Sequence, residues 1–590
     1  MQNPIHFYNE QLRLHKQEAK GIYKRMGMLS LLRLSIFVLS LFGMYLSFEN
    51  WKIAMLIGVV GSAIFLFLLS KYTDLKAKHA LHKRLISLNE DELKIASGDF
   101  YNRPSGTQFQ NPKHAYSLDI DLFGRGSFFQ FINRTTIKEG TDTFVQSLLA
   151  NDISKIKERQ EAIEELSKLQ EWSQRYNVIA QGVKIEHSAK SIIKWLKAYK
   201  PFLGTTIYWL TLGFSLASLL ILVLGLIEII PITYAGYWLL LGLAITAKYL
   251  KQINRVAQNT EKAKDTFRQY ALLLEEIESQ IFRSKLLIEK QQKIQSEDIK
   301  ASKIFSKFSK ALDALDNRNN FISAIFGNGY LLWDIMQTYH VEQWIIAHSK
   351  KVEDWFETVT FFDAYNSFGT YAFNHPGFVY PKIIDKNYTI NAKAIGHPLL
   401  NPQKRIDSNL NIETQQFFII TGANMAGKST FLRTVGLHIV MANIGLPVCA
   451  KQSWYNPIKL ITSMRTTDSL TDDSSYFFSE LTRLKFIVDT IQKDSNYFII
   501  LDEILKGTNS TDKAIGSKQF VERLVKLNAT GVIATHDLSL TEIEKELKKV
   551  KNYYFDAQIK NHELYFDYKL KLGVCQNMNA SFLLNKMGIV

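Results

Sequence analysis

Four long apolar segments constrain this chain of 590 residues more than any other feature of its sequence. They cover residues 26–48, 53–70, 205–227 and 232–247, and Arg33 is the only charged residue within them. Because about 20 apolar residues cross the hydrocarbon core of a bilayer as a helix, we expect four transmembrane helices paired as two hairpins. The alternative is a set of buried helices in a large soluble bundle, but uncharged runs of this length are uncommon in soluble cores.

The charges beside these segments predict the orientation of the protein. Cations flank the first hairpin on both sides: Lys16, Lys20, Lys24, Arg25, Lys71, Lys76 and Lys78. The two short links within the hairpins contain Lys52 as their only cation. By the positive-inside rule we expect an integral protein of a bacterial inner (cytoplasmic) membrane, with both termini and the large soluble regions in the cytoplasm. The net charge of +15 also fits contact with nucleic acid or with an anionic membrane surface.

The rest of the sequence divides into helical regions and a C-terminal α/β region. Lys, Glu, Gln, Leu and Ile recur at helical spacing, and residues 261–295 have the pattern of one long amphipathic helix. After "NHPGFVYP" (residues 374–381) short apolar strands alternate with helices, which is typical of a mostly parallel sheet. We therefore expect a multidomain fold with six regions: a cytoplasmic N-terminal segment (1–25), a transmembrane hairpin (26–72), the first part of a helical core (73–200), a second transmembrane hairpin (201–250), lever helices (251–385) and an α/β domain (386–590).

The stretch "FFIITGANMAGKST" (residues 417–430) indicates a nucleotide site. It fits the pattern G-x-x-x-x-G-K-[ST], with an apolar strand before it and a helix after it. Backbone N–H groups of such a loop and the N-terminus of the helix cradle phosphate charge. We expect Lys428 to reach the β- and γ-phosphates and the Ser429 hydroxyl to bind Mg²⁺. The predicted ATP-binding residues are Gly422, Ala423, Asn424, Met425, Ala426, Gly427, Lys428, Ser429 and Thr430.

The remaining predicted site residues stand at the ends of two further predicted strands. Asp502 and Glu503 follow the apolar run "YFIIL", and His536 follows "GVIAT". The carboxyl ends of parallel strands are where open α/β sheets place their ligands. We expect Asp502 to bind Mg²⁺ through water, Glu503 to polarise the attacking water, and His536 to sense the γ-phosphate as the second catalytic residue. Cys449 and Cys575 have no ligand-like spacing, which argues against a disulfide framework or a zinc site.

These segments resemble the ATPase domain of the MutS family of mismatch-repair proteins. The similarity lies in "TGANMAGKSTFLRTVG", "SSYFFSEL", "LDEILKGTNSTD" and "ATHD", and it extends weakly upstream to "DLFGRGSFFQFINRTTIKEGTDTF". The resemblance implies an ATP- and Mg²⁺-dependent ATPase of the ABC/MutS type that works as a homodimer through its ATPase domains. It also implies that Ser475 and Glu480 belong to a signature that reaches the partner's ATP, and that Thr508 and Asp512 lie in a loop at the dimer interface.

The chain also departs from the family pattern. Residues 1–72 are a charged segment and an apolar hairpin, so we expect neither the mismatch-reading module nor the connector domain. The second hairpin interrupts the helical core roughly where the family inserts its DNA clamp. Ala426 stands where the family has a further glycine, and no aromatic residue near residues 404–406 is available to stack on adenine.

Three functional hypotheses follow. The first is a membrane-anchored MutS-like ATPase whose nucleotide state moves lever helices in a clamp-like motion, with DNA binding that lacks mismatch specificity. The second is an ATP-driven transport or membrane-remodelling machine with an ABC-like ATPase and no role on DNA, although an LSGGQ-like signature is missing and four spans give a thin pathway. The third retains DNA repair as the role, with the membrane as a tether.

Overall fold

Helices far longer than a bilayer is thick organise the N-terminal part of the protein. The computed structural model describes residues 3–182, 189–295, 299–316, 318, 320–385, 387–423, 425–465, 476–560 and 563–576. The helices before the α/β region are α1 (Pro4–Leu46), α2 (Trp51–Ala96), α3 (Phe128–Ile132), α4 (Lys138–Leu149), α5 (Ile156–Ser167), α6 (Gln170–Ala180), α7 (Ala189–Ala198), α8 (Thr206–Leu226), α9 (Thr233–Ser279), α10 (Lys285–Gln292), α11 (Ala301–Asp316), α12 (Asn328–Leu331), α13 (Trp333–His348) and α14 (Val352–Asn374).

The α/β region follows α14 and contains two sheets. Its strands are β1 (Lys382–Ile383), β2 (Tyr388–Ile395), β3 (Ser408–Glu413), β4 (Phe417–Gly422), β5 (Gln452–Tyr455), β6 (Lys459–Ser463), β7 (Tyr497–Asp502), β8 (Thr530–Ala534), β9 (Val550–Lys560) and β10 (Glu563–Leu572). Its helices are α15 (Lys428–Ile444), α16 (Tyr476–Lys493), α17 (Ser510–Lys526) and α18 (Ile543–Glu546). The larger sheet has the order β10-β9-β4-β8-β7-β6 and is parallel except for β10, while the smaller has the order β1-β5-β2-β3.

The first hairpin continues well beyond its apolar segments. Helices α1 and α2 have 43 and 46 residues, which corresponds to roughly 65 Å at 1.5 Å per residue. Each helix runs unbroken between its apolar and polar halves, so no break in secondary structure falls at residue 25 or at residue 72, and the division into a segment 1–25 and a hairpin 26–72 stays a prediction. The polar halves pack on the helical core, where the Tyr8 hydroxyl donates to Asn374 Oδ1 (2.7 Å).

The second hairpin and the predicted amphipathic helix are also continuous. Helix α9 has 47 residues and includes both the apolar segment 232–247 and the start of the predicted helix 261–295. It ends at Ser279 rather than at residue 295, because the backbone N–H groups of Arg283 and Ser284 donate to the Glu165 carboxylate (2.7 and 2.6 Å) and reverse the chain. The prediction of one uninterrupted helix over 261–295 is therefore wrong at its C-terminal end.

Three helices of the described chain are long and apolar enough to cross a membrane, namely α1, α2 and α8. We expected four, but α9 is not among these three. Tyr234, Tyr237 and Trp238 in its apolar half, and Lys248 directly after that half, lower the mean hydropathy of this part of the helix. Aromatic residues of this kind are enriched where helices meet the membrane interface.

The helical core and the α/β region share an extensive contact. Asp119, in the irregular segment before α3, accepts hydrogen bonds from the Thr462 hydroxyl (2.6 Å) and from the backbone N–H groups of Met464 and Arg465 (3.1 and 3.0 Å). The Arg159 guanidinium of α5 donates to the carbonyl oxygen of Asn443 (2.8 Å). These buried polar contacts fix the sheet of the α/β region against the helices that lead to the apolar hairpins.

Candidate functional site

The glycine-rich loop lies between β4 and α15, at the carboxyl edge of the larger sheet. All six residues of β4 are buried. Gly422 has a φ of 151°, and a Cβ there would lie 2.7 Å from the carbonyl oxygen of Phe555. Gly427 has a φ of 103° at the start of α15. Side chains would be strained at both positions, so the two glycines allow the loop to turn tightly onto the N-terminus of α15.

Lys428 points into the concave side of this loop. Its ammonium donates to the carbonyl oxygens of Gly422 (2.7 Å) and Ala423 (3.0 Å). Burial lowers the pKa of Lys428, and the nearby carboxylates of Glu503 and Asp502 act in the opposite direction. A cation held here by backbone oxygens is oriented toward the space in front of the loop, where an anion would meet it.

Ser429 and Asp502 form the second pair of the site. The Ser429 hydroxyl donates to Asp502 Oδ2 (2.7 Å), and burial raises the pKa of Asp502. These are hard oxygen ligands of the type that Mg²⁺ prefers, so their chemistry fits the predicted ion. Within the described residues no group of three or more His, Cys, Asp and Glu side chains could hold a metal. Mg²⁺ at this pair would therefore depend on oxygens from water and from phosphate groups.

Glu503 and His536 face each other across the ends of β7 and β8. His536 Nε2 lies 2.8 Å from Glu503 Oε1 and 3.1 Å from Lys428 Nζ. A carboxylate can only accept, so we assign the Nε2 proton to the bond with Glu503, while Lys428 donates to the loop carbonyls. This hydrogen bond is the main cause that lowers the pKa of Glu503 to about 2. Glu503 is thus an ionised, weakly basic carboxylate, suited to orient a water molecule rather than to take its proton permanently.

These residues line one cavity of about 580 Å³. Its described lining includes most of the predicted ATP-binding and catalytic residues: Ala423, Met425, Gly427, Lys428, Ser429, Thr430, Asp502, Glu503 and His536. Gly422 and the buried Ala426 belong to the same loop. Asn424 lies outside the described residues.

The sequence interpretation missed Tyr568, which also lines the cavity. Tyr568 lies on β10, and its ring contacts the position of Gly427, where a Cβ would be 3.1 Å from Tyr568 Cδ1. Its φ of 52° falls within an irregularity of the β9–β10 pairing between Phe566 and Leu570. His397, between β2 and β3, also lines the cavity. The cavity therefore contains aromatic rings, although none comes from residues 404–406.

The residues expected at a subunit interface have local roles in this chain. The buried Glu480 carboxylate accepts from the backbone N–H groups of Leu505 (2.6 Å) and Lys506 (3.0 Å). Asp512 is exposed near the start of α17, where its backbone N–H donates to Asn509 Oδ1 (2.9 Å), and Thr508 is half-buried before it. Ser475 lies outside the described residues. A place for these four at an interface stays a prediction.

The region that carries this cavity also matches known proteins. Residues 418–584 match the family model described as MutS domain V. The chain is 34% identical over 235 residues to human "MutS protein homolog 4", covering 38% of this chain and 24% of that protein. It is 30% identical over 240 residues to the "DNA mismatch repair protein MutS" of Methanosarcina barkeri, covering 39% and 26%. The matched region spans about a quarter of the length of these relatives.

Proposed function

Because the chain belongs to the MutS family through its ATPase domain, we propose that it is a membrane-anchored ATPase that couples ATP hydrolysis to movement of its long helices. The observation that carries this proposal is the convergence of Lys428, Ser429, Asp502, Glu503 and His536 on one cavity. These side chains come from three strand ends that lie next to each other in the sheet. A phosphate-binding loop, a metal-binding pair and a water-orienting carboxylate are the parts that phosphoryl transfer requires.

In this proposal the N–H groups of the loop and the Lys428 ammonium bind the β- and γ-phosphates of ATP. Ser429 and Asp502 would hold Mg²⁺, which when bound would supply positive charge to neutralise the phosphates. Glu503 orients water toward the γ-phosphorus, and His536 holds the Glu503 carboxylate ionised and in place. The Tyr568 ring forms a wall of the same cavity, where it is available to an adenine base.

The anchor in this proposal consists of four spans, formed by α1, α2, α8 and the apolar half of α9. The composition of α1, α2 and α8 supports the first three, and the aromatic belt in α9 supports the fourth. The cation distribution supports cytoplasmic termini and a cytoplasmic ATPase domain at a bacterial inner membrane. Two such chains form a homodimer through the ATPase domains, with Ser475, Glu480, Thr508 and Asp512 near the shared sites.

The helices that link site and anchor are long and directly connected. Asn374, the last residue of α14, accepts from Tyr8 of α1 (2.7 Å) and donates to Glu92 of α2 (3.0 Å). Glu92 is buried and paired with Arg134. A shift of α14 against the ATPase domain would therefore displace the cytoplasmic end of the first hairpin, which supports conversion of nucleotide state into movement at the membrane.

Duplex DNA, in this proposal, is bound without mismatch discrimination. The relatives include proteins named for DNA mismatch repair, but discrimination requires a wedge and readout of the deformed duplex. Residues 4–96, where such a module would precede the core, form the α1–α2 hairpin. Titration with matched and mismatched duplexes at two salt concentrations tests this point. A mismatch preference above about tenfold, or ~1.4 kcal/mol, would restore mismatch repair as the leading function.

Two substitutions separate ATP binding from hydrolysis. Lys428→Ala should abolish tight ATP binding, because the loop loses its only side-chain cation for the phosphates. Glu503→Gln should retain binding and trap ATP, with a rate of hydrolysis lowered by about 10²- to 10⁴-fold. Radiolabelled ATP retention and phosphate release measure both effects on purified protein. Glu522→Gln, on the outer part of α17, is the matched control and should hydrolyse ATP normally. Wild-type hydrolysis by Glu503→Gln would contradict the role assigned to this carboxylate.

A further inference from the structure

The segment between α11 and α13 carries an apolar surface that the described chain leaves uncovered. The side chains of Phe321, Ile322, Phe326 and Leu331 are 76, 66, 53 and 43% exposed. Residues 319–333 contain no charged residue. A contiguous apolar surface of this kind is unusual on the water-exposed face of a protein and indicates an interaction surface.

This segment lies against the second apolar hairpin rather than against the cytoplasmic core. A Cβ at Gly242 of α9 would be 2.1 Å from the carbonyl oxygen of Gly329, so the two backbones are in direct contact. The Tyr330 hydroxyl donates to the carbonyl oxygen of Ala235 in α9 (3.2 Å). The Ser215 hydroxyl of α8 is 3.3 Å from the carbonyl oxygen of Leu331. Close approach of backbones through glycine is typical of helices that associate within membranes.

The positions of these contacts give the depth of the segment. Ser215 lies nine residues into α8 from its start at Thr206, which is about 14 Å along the helix. Gly242 lies six residues before Lys248, the first cation of α9, or about 9 Å. If α8 crosses a hydrocarbon core of about 30 Å, the tip of the segment reaches close to its middle. The Arg318 guanidinium donates to Asn254 Oδ1 (2.6 Å). Asn254 lies beyond Lys248, outside the apolar part of α9.

The backbone of the segment reverses direction and is satisfied by protein groups. A π-helical turn at Ser323–Gly327 leads into α12, and Leu332 then adopts a φ of 50° before α13 begins. The Asn328 side chain donates to the carbonyl oxygen of Ala324 (3.0 Å) and accepts from the backbone N–H of Asp334 (2.9 Å). Irregular backbone is tolerated at membrane depth only where protein groups supply such partners.

The charged residues that bound the segment pair with each other. Arg318 Nε lies 3.5 Å from Asp334 Oδ2, and both side chains are largely buried. Pairing of opposite charges is the condition under which ionisable groups are tolerated near or within the apolar layer. The segment therefore begins and ends beside the same hairpin, and an ion pair joins the two residues that flank it.

We propose that residues 321–332 form a re-entrant segment embedded in the lipid bilayer beside α8 and α9. This proposal rests on the proposed membrane placement of α8. The segment would be a fifth membrane element, and it connects α11 to α13. The stretch is too short to cross the bilayer even once, since about 20 residues are required. Phe321, Ile322, Phe326 and Leu331 contact lipid acyl chains, while Gly329 and Tyr330 face α9.

Quenching of a fluorophore by nitroxide-labelled lipids measures directly whether the segment lies in the bilayer. Single cysteines are introduced by Phe326→Cys as the test, Leu219→Cys on α8 as the reference, and Ile281→Cys as the control; these side chains are 53, 61 and 82% exposed. The native Cys449 and Cys575 are buried and so give little background. Each variant carries an environment-sensitive fluorophore and is reconstituted in vesicles whose lipids bear nitroxides on their acyl chains. Phe321→Cys provides a second test position should labelling at Phe326 disturb folding.

We expect the Phe326 and Leu219 labels to lose fluorescence to the nitroxide lipids, and the Ile281 label to lose it only to aqueous iodide. Iodide quenching at Phe326 together with lipid quenching at Leu219 would overturn the re-entrant segment and leave the proposed spans intact. Protection at Phe326 from both quenchers would also overturn it, because a protein, such as a second copy of this chain, would then cover the surface. Iodide quenching at Leu219 would contradict the membrane placement of α8, and with it the proposed anchor.

Discussion

At the scale of single residues, the backbone conformation of Glu503 determines where its carboxylate points. Glu503 has a φ of 50°, and its backbone N–H donates to the carbonyl oxygen of Ala534 (2.9 Å). This unusual backbone angle turns the side chain away from β7 and toward His536. Strained backbone of this kind persists only where its surroundings fix it, and it concentrates at functional sites. The pairing of β7 with β8 provides that support.

Tyr568 gives a prediction at the same scale. Tyr568→Ala should raise the KM for ATP by about 2- to 12-fold, equivalent to ~0.5–1.5 kcal/mol of lost ring contact. Tyr568→Phe should retain the wild-type KM because it keeps the ring. Steady-state phosphate release as a function of ATP concentration measures both. Tyr565→Ala, on the same strand but not in the lining of the cavity, controls for damage to the hairpin. An unchanged KM in Tyr568→Ala would remove this residue from the site.

The sequence could predict Lys428 from the glycine-rich pattern after one strand, and Asp502 and His536 because each comes at the end of a short apolar run. The structure brings all three to one cavity. Tyr568 could not be predicted in this way. It depends on an irregularity in the antiparallel pairing of β9 and β10, and no local pattern in "FDYKL" specifies which residue turns toward the loop. The resemblance of these motifs to the MutS family is confirmed for the α/β region, where residues 418–584 match the family model described as MutS domain V.

At the scale of elements, α16 supports the segment that follows β7. Glu480 is buried in α16 and accepts from two backbone N–H groups of residues 505 and 506. Leu505 has a φ of 60°, so this segment, like Glu503 before it, departs from extended geometry. The carboxylate therefore fixes the direction in which the chain leaves the strand that carries Asp502 and Glu503.

Glu480→Ala should lower kcat while leaving ATP binding nearly unchanged. It leaves the buried N–H of Leu505 and the partly buried N–H of Lys506 without acceptors, and an unsatisfied buried donor costs about 1–3 kcal/mol. The segment would loosen next to Glu503, whereas the glycine-rich loop between β4 and α15 would keep its contacts. Asp489→Ala removes an exposed carboxylate from the same helix, where it pairs with Lys485, and should change neither quantity. A loss of ATP binding equal to the loss of kcat would contradict this separation.

Helical periodicity predicted the existence of the long helices but not where they end. Helix α9 stops at Ser279 because Glu165, more than a hundred residues earlier in the chain, captures the next backbone N–H groups. Phe282 then packs on Trp172 and Phe362. Tertiary contacts of this kind leave no trace in local periodicity. Residues 321–332 fall within the predicted lever helices (251–385), and their apolar run is shorter than a transmembrane span.

At the scale of the whole molecule, the ATPase domain and the apolar hairpins lie at opposite ends of continuous helices. The polar ends of α1 and α2 meet α14 at Asn374, and the helical core contacts the sheet through Asp119. Movement of one chain relative to another would be transmitted to the apolar hairpins through these helices. The contacts between the two chains of the proposed dimer would therefore determine which movements ATP hydrolysis can produce.

Mixing two inactive chains tests the shared sites. Lys428→Ala removes the phosphate contact of its own chain, and Ser475→Arg blocks the contact that Ser475 would make to its partner's ATP. If Ser475 acts in trans, a heterodimer contains one intact site and should recover part of the wild-type hydrolysis, while each parental homodimer stays inactive. Two affinity tags isolate the heterodimer before phosphate release is measured. An isolated heterodimer as inactive as its parents would show that the sites are not shared in this way.

The central claim is that one chain is both an ATPase and an integral membrane protein. Its most direct test is Mg²⁺-dependent phosphate release from ATP by protein reconstituted in vesicles, washed with alkaline carbonate and floated through a density gradient. The account predicts that the activity of the wild type floats with the lipid, disappears on Mg²⁺ chelation and is absent from equally floated Lys428→Ala protein. Hydrolysis no greater than that of Lys428→Ala, or hydrolysis that remains at the bottom of the gradient, would contradict it.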